Sequence, residues 1–181
     1  MLKDFITGKD VLDTPKERVR QRVERFLVDE KDYPRENILV DYTFLVEIGD
    51  KKFVSSIDIL IKVENRNFMN IECAPPTVFS SLERKALASS RIFKPIIPFT
   101  VLTDWQQTKI FETESGKIVG DSLKEIPNFN IAKKIIQNSK PVYLDEERVE
   151  KEKRVLFAFM SVLHCECEIF DTQPNRKLEV S

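Results

Sequence analysis

Ser55-Ser56-Ile57-Asp58-Ile59-Leu60-Ile61-Lys62-Val63, then Glu64-Asn65-Arg66-Asn67, then Phe68-Met69-Asn70-Ile71-Glu72-Cys73-Ala74 is the stretch on which the fold turns. Two apolar runs rich in β-formers flank a polar, turn-like link, the pattern of two paired strands. Each run carries one acid, Asp58 inside the first and Glu72 near the end of the second. An unpaired carboxylate buried in a sheet is costly. The placement makes sense where a cation or a phosphate meets both acids. The bland alternative is two ordinary charges at sheet edges, or in salt bridges with the abundant arginines.

Working outward, Ile38 to Ile48 alternates as a strand does, and Gly49-Asp50-Lys51 turns it into a second strand, Phe53 to Val63. The third strand, Phe68 to Cys73, stops at Pro75-Pro76. Asp13-Thr14-Pro15-Lys16-Glu17 is a helix start, with Thr14 as cap, Pro15 in the first turn and a Thr-x-x-Glu capping box. Val19, Val23, Phe26 and Leu27 then share one helical face. Arg18, Arg20, Arg22 and Arg25 lie on the other, and for Arg20, Arg22 and Arg25 a solvated basic face is the preferred reading. Ser80 and Glu83 form a second capping box, opening a helix to about Phe93. Ile96 to Thr103 is a short, buried fourth strand and Thr108 to Thr113 a fifth, followed by a turn at Glu114-Ser115-Gly116-Lys117. Helices follow near Ile131 to Asn138 and from about Asp145 to His164, the latter with Val149, Leu156, Met160 and Leu163 along one face. The expected fold is α/β, a mixed sheet flanked by helices. Residues 1–125 form the α/β domain, 126–170 a helical C-terminal extension and 171–181 a flexible tail.

At 181 residues, 41% hydrophobic and 33% charged, the chain has the composition of a soluble globular domain. Four glycines and no Gly-x-x-x-x-Gly-Lys-Ser/Thr loop argue against a phosphate-cradling motor. The net charge of −1 gives no general basic field, so nucleic acid must be met by a local patch. The three cysteines, Cys73, Cys165 and Cys167, make no framework spacing, which points to free thiols in a reducing, cytoplasmic compartment. No secretory apolar segment is visible, nor any apolar run near the roughly 20 residues of a membrane span. His164-Cys165-Glu166-Cys167 is too tightly spaced for a common zinc site and reads as a helix end with free thiols. With one histidine, His-based acid–base catalysis has little support. Trp105 is read as a turn residue packing on the sheet.

Five fragments occur in order: Asp13-Thr14-Pro15-Lys16-Glu17-Arg18-Val19-Arg20-Gln21, Tyr33-Pro34, Asp58 in its strand, Ile71-Glu72-Cys73-Ala74-Pro75, and Val101-Leu102-Thr103-Asp104-Trp105. Together they resemble the N-terminal domain of type I restriction enzyme R (HsdR) subunits, within the PD-(D/E)xK nuclease superfamily. That family shows a Thr-Pro-Glu-Glu-x-Val-Arg-Gln helix, a Val-Asp-Ile strand and a Glu-Cys-Lys-Ala-Pro strand end. A Gln-x-x-x-Tyr-Ala-Arg helix and a Leu-Thr-Asn-Gly turn follow. The resemblance covers roughly the first two thirds of the chain, to about Glu112.

The resemblance implies a restriction-endonuclease-like αβββαβ core and Mg²⁺-dependent (or Mn²⁺-dependent) hydrolysis of DNA phosphodiesters. Its acidic positions fall on Asp58 and Glu72, the expected metal ligands, to which the carbonyl of Cys73 can add an oxygen. Its catalytic lysine falls on Ala74. Period-two geometry puts residue 74 on the face of Glu72, where an ammonium can orient water or neutralise charge on the phosphate; Ala74 can do neither. Lys85 stands where the family helix has Gln, and lysine migration to that helix is known in relatives of the superfamily. The expected catalytic set is therefore Asp58, Glu72 and Lys85, against the reading of Lys85 as a surface lysine. Ser89 replaces the family Tyr, Arg91 either touches DNA or balances charge, and Arg18 and Gln21 fit the first helix. Expected partners are DNA and the subunits of a restriction system, with no membrane; the C-terminal helices either cap the sheet or offer a homodimer surface. The competing function is a catalytically inactive DNA-binding or protein-interaction module on the same fold.

Overall fold

The computed structural model describes residues 1–75, 78–163 and 170–171. A two-stranded hairpin, β1 (Leu2–Lys3) and β2 (Asp10–Val11), opens the chain. Helix α1 (Pro15–Asp29) starts where the sequence places it: the Thr14 hydroxyl accepts from the Glu17 amide, with Pro15 in the first turn. The Glu17 carboxylate turns to Arg20 and Gln21 instead.

Strands β3 (Ile38–Ile48) and β4 (Lys51–Val63) pair antiparallel across Gly49, whose φ of +58° suits the tight turn. Strand β5 (Arg66–Cys73) returns through Glu64 and Asn65, both at positive φ (49° and 61°), the backbone of a two-residue hairpin of the primed kind. The chain then crosses through helix α2 (Glu83–Arg91) to β6 (Phe99–Thr103), which runs parallel to β5 from Met69↔Phe99 to Cys73↔Thr103. Strands β7 (Thr108–Glu112) and β8 (Ile118–Gly120) continue the sheet antiparallel, giving the order β3-β4-β5-β6-β7-β8. Helices α3 (Phe129–Asn138) and α4 (Glu146–Leu163) follow, and β9 (Phe170–Asp171) pairs with Lys52 and Lys51 of β4.

Helices lie on both faces of this mixed α/β sheet. Val23 and Leu27 of α1 and Ala132 and Ile136 of α3 pack on Ile59, Ile61, Ile71 and Val101. On the other face Ala88 of α2 and Leu156 of α4 meet Val46 and Phe53, while Ala74, Leu82 and Leu102 form a neighbouring cluster. Strand β4 serves both layers by changing phase. Ile57 and Leu60 share one cluster, whereas Ile59 and Ile61 join the opposite core, a step of three where regular pleating gives two. The change falls at Asp58, across from Asp41, whose φ is +49°.

Several local expectations are corrected. Ser80–Leu82 forms a 3-10 turn and α2 begins only at Glu83, so Leu82, which has no side-chain acceptor, holds the cap position and Glu83 pairs with Lys109. That helix ends at Arg91 rather than Phe93. The strand expected from Ile96 begins at Phe99, since Pro95 and Pro98 lack amides and Ile96 and Ile97 donate to Val142 and Ser90 carbonyls. The β1–β2 hairpin and β8 were not anticipated; they are short and lack alternation. In α4, Val149 and Leu156 are buried and Met160 packs in the cluster around Leu156. The Leu163 side chain, the His164–Cys167 segment and residues 172–181 lie outside the described residues. Among the described residues no helix is long and apolar enough to cross a membrane.

The largest correction concerns Arg20, which is buried rather than solvated, at 3% exposure. Its Nη2 lies 3.1 Å from Asp4 Oδ2 and 2.8 Å from Glu17 Oε2, its Nε 3.6 Å from Glu24 Oε1, and its Nη1 pairs with Asp41. Among the described residues neither Glu24 oxygen, both buried, has a hydrogen-bond donor. Burial, then the carboxylate of Asp4, pushes Glu24 from 4.5 up to about 8, against the pull of Arg20. The folded protein therefore holds this proton more tightly than the unfolded chain. The resulting stability is complete below pH 4.5 and disappears as pH rises through about 8. A Glu24→Gln variant is expected to lose clearly less of its melting temperature from about pH 5 to about pH 9 than the wild type does over that window. Parallel melting curves would assign the wild-type loss to other groups.

Candidate active site

The sheet brings Asp58 and Glu72 together. The β4–β5 register pairs Ile59 with Ile71, so Asp58 and Glu72 stand opposite one another one step further along. Both are buried, at 4% and 1% exposure. Asp58 Oδ2 accepts from the Cys73 amide at 2.8 Å, which fixes its carboxylate against β5. Its Oδ1 lies 2.7 Å from the ammonium of Lys16, in the first turn of α1. Glu72 Oε1 accepts from Lys85 of α2 at 2.5 Å, while Glu72 Oε2 is buried and has no hydrogen-bond partner among the described residues.

The electrostatics follow from this packing. Burial, and next the charge of Asp58, raise the Glu72 pKa above its ordinary value, against the pull of Lys85 and Lys16. Burial weakens the Lys16 ammonium, but Asp58 and Glu72 outweigh it and hold its pKa above the ordinary lysine value. Burial and the Asp58 charge raise the Cys73 thiol well above its usual range, so it stays protonated. A cavity of about 350 Å³ opens beside the group, lined by Lys16, Ser55, Glu72, Lys85 and Met160 among others.

Helix α2 is held firmly over this cavity. Asn70, two residues before Glu72, donates to the Ala86 carbonyl and to Ser90 Oγ, and Ser90 accepts in turn from Thr100. Arg84 and Arg91 both pair with buried Glu152 of α4. Arg91 also donates to the Thr113 carbonyl at 2.8 Å, so its role is charge balance within the fold. Gln21 accepts from the Phe5 amide and donates to Glu17, holding the N-terminal hairpin and not the acids. Arg18 makes two bonds to Asp13 on the surface. Ala74 is fully buried against Leu82, Leu102 and Phe111, with its amide on the Thr103 carbonyl. A lysine there would enter a packed apolar cluster.

Lys85 thus reaches one carboxylate, Glu72, and the other is taken by Lys16. Reading the sequence assigned Lys16 only to a helix start. The family pattern held the signal, because Thr-Pro-Glu-Glu puts an acid where this chain has Lys16. Trp105 is a turn residue, as expected, but it is 36% exposed at φ +80° and sets its edge against Phe26 of α1. Arg22 lies over its ring, and Arg25 and Arg35 over Phe5, so the exposed side of α1 and the 3-10 turn after it (Arg35–Asn37) present arginines backed by aromatics.

Two facing carboxylates, one with an orphaned buried oxygen, form a donor set suited to a hard divalent cation that completes its shell with water and phosphate. Among the described residues no larger group of His, Cys, Asp and Glu is gathered for a metal. No curated protein and no solved structure matches the chain. The model of the type I restriction enzyme R protein N terminus (HSDR_N) matches residues 15–127, from the start of α1 through β8, and the chain belongs to that family.

Proposed function

We propose that this domain is a metal-dependent nuclease of the PD-(D/E)xK kind that hydrolyses DNA phosphodiesters as part of a restriction system. The observation that carries the reading is the Lys85 ammonium 2.5 Å from Glu72 Oε1, which returns a lysine to an acid pair whose strand position holds Ala74. Asp58 and Glu72 would hold Mg²⁺ or Mn²⁺, with the Cys73 carbonyl as a further oxygen. The bound cation supplies Lewis-acid polarisation of the phosphate and a more acidic water. Glu72 keeps Oε1 for Lys85 and has Oε2 free. Lys85, fixed by α2, faces the cavity and offers its remaining protons to phosphate oxygens as negative charge develops. Arg22, Arg25 and Arg35 are the candidate contacts for the DNA backbone.

A second reading, an inactive DNA-binding or interaction module, is favoured by one observation: Lys16 and Lys85 already neutralise the two acids. Calorimetric titration of Mn²⁺ into wild type and Asp58→Asn separates the two, since Asn can still accept from the Cys73 amide. The nuclease reading expects metal affinity to fall by about 10-fold or more in the variant, together with loss of Mg²⁺-dependent nicking of supercoiled plasmid. DNA binding without nicking or Asp58-dependent metal uptake would select the inactive module.

A further inference from the structure

We propose that Lys16 is a resident counter-ion that keeps Asp58 closed to divalent cations until a nucleic-acid phosphate draws its ammonium away, so that cation and substrate load together. The proposal rests on the nuclease reading above and adds an order of events to it.

Three features of the site support it. First, Lys16 lines the cavity and Asp58 does not, so the ammonium stands between the open space and the acid. Second, Asp58 has one oxygen to give. Its Oδ2 is committed to the Cys73 amide, and Oδ1 is the atom Lys16 covers at 2.7 Å. Third, the two ion pairs differ in freedom. The Lys16 side chain is 44% exposed, whereas that of Lys85 is 15% exposed and is carried by a helix braced through Asn70, Arg84 and Arg91.

Charge sets the direction of the coupling. Asp58 and Glu72 carry two negative charges and Lys16 and Lys85 two positive ones. A divalent cation added to this neutral, largely buried quartet finds no net attraction to offset the loss of its own hydration. A phosphate at the cavity mouth offers Lys16 an alternative partner of the same sign as Asp58. The lysine stem is a flexible four-carbon arm with a compact charge, suited to move between the two. Once Lys16 has moved to the phosphate, Asp58 Oδ1 and Glu72 Oε2 both need a positive partner. Linkage makes the effect reciprocal: DNA tightens cation binding and the cation tightens DNA binding by the same factor.

The test is Mn²⁺ affinity by calorimetry for wild type, Lys16→Gln and Lys16→Met, with DNA affinity measured by fluorescence anisotropy in Ca²⁺ or in chelator at constant ionic strength. Both variants are expected to bind Mn²⁺ at least about 10-fold more tightly than wild type without DNA, and to lose most of the Ca²⁺ enhancement of DNA binding. The gain should vanish when Asp58→Asn is added, and Lys16→Arg should stay near wild type. Asp58-dependent Mn²⁺ binding that is no tighter in either variant overturns the counter-ion role and leaves the nuclease reading standing. Absence of Asp58-dependent binding in every protein overturns both.

Discussion

Replacing Lys85 by Met is expected to lower Mg²⁺-dependent plasmid nicking by about 10²- to 10³-fold, the usual effect of deleting one preorganised donor to the developing charge. Met keeps the length and apolar stem of the side chain, so the packing of α2 over the cavity is largely preserved. What disappears is the proton donor 2.5 Å from Glu72 Oε1. Glu72, already raised by burial and by Asp58, then loses its strongest opposing charge and rises further. The nicking profile of the variant should therefore shift to higher pH, since Glu72 must be ionised to hold a cation. Lys85→Arg keeps the charge but replaces a compact ammonium with a broad planar fork, and should restore Glu72 ionisation better than it restores rate. Nicking by Lys85→Met at the wild-type rate would remove Lys85 from the chemistry and reduce it to a salt-bridge partner.

The second large effect is on folding. Arg20→Met should destabilise the protein by about 3–5 kcal/mol, because it leaves the buried carboxylate of Asp4 without its cation. For a chain of this size that corresponds to a fall of roughly 10–15 °C in Tm. Asp41 and Glu17 lose the same partner. Adding Glu24→Gln should recover part of the loss, since a side chain that must take up a proton on folding at neutral pH is then replaced by a neutral amide. Acidic buffer should do the same by protonating Glu24. A fall of only a degree or two would mean that the acids find water once the guanidinium is gone.

Both residues show where sequence reading reaches and where it stops. The strands through Asp58 and Glu72, the α1 cap at Thr14 and the crossover through α2 were legible because alternation, turn residues and capping are local signals. The pairing of Asp58 with Glu72 was an expectation carried by the family resemblance, and the β4–β5 register sets the two opposite one another. Arg20 was misplaced because α1 alone presents it on the polar side; the residues that bury it, Asp4 and Asp41, come from a short hairpin and an irregular strand position remote in sequence. Lys16 was missed for the same reason, since its pairing with Asp58 spans 42 positions and needs the helix start laid against the sheet. The start of α2 was misread because Ser80 and Glu83 fit the capping pattern, while the chain makes a 3-10 turn over Ser80–Leu82 first and Glu83 pairs with Lys109.

The change of phase at Asp58 has a mechanical consequence. The strand is gripped from both sides at that residue, by Ile57 and Leu60 in one layer and Ile59 and Ile61 in the other, and the carboxylate is tethered to the next strand's backbone. Reorganisation around an incoming ligand is thereby left to the more exposed basic arm, Lys16. The domain divides labour between a rigid anionic floor with its braced lysine and one pliant cationic arm, so its tuning can drift at the arm while the floor stays put.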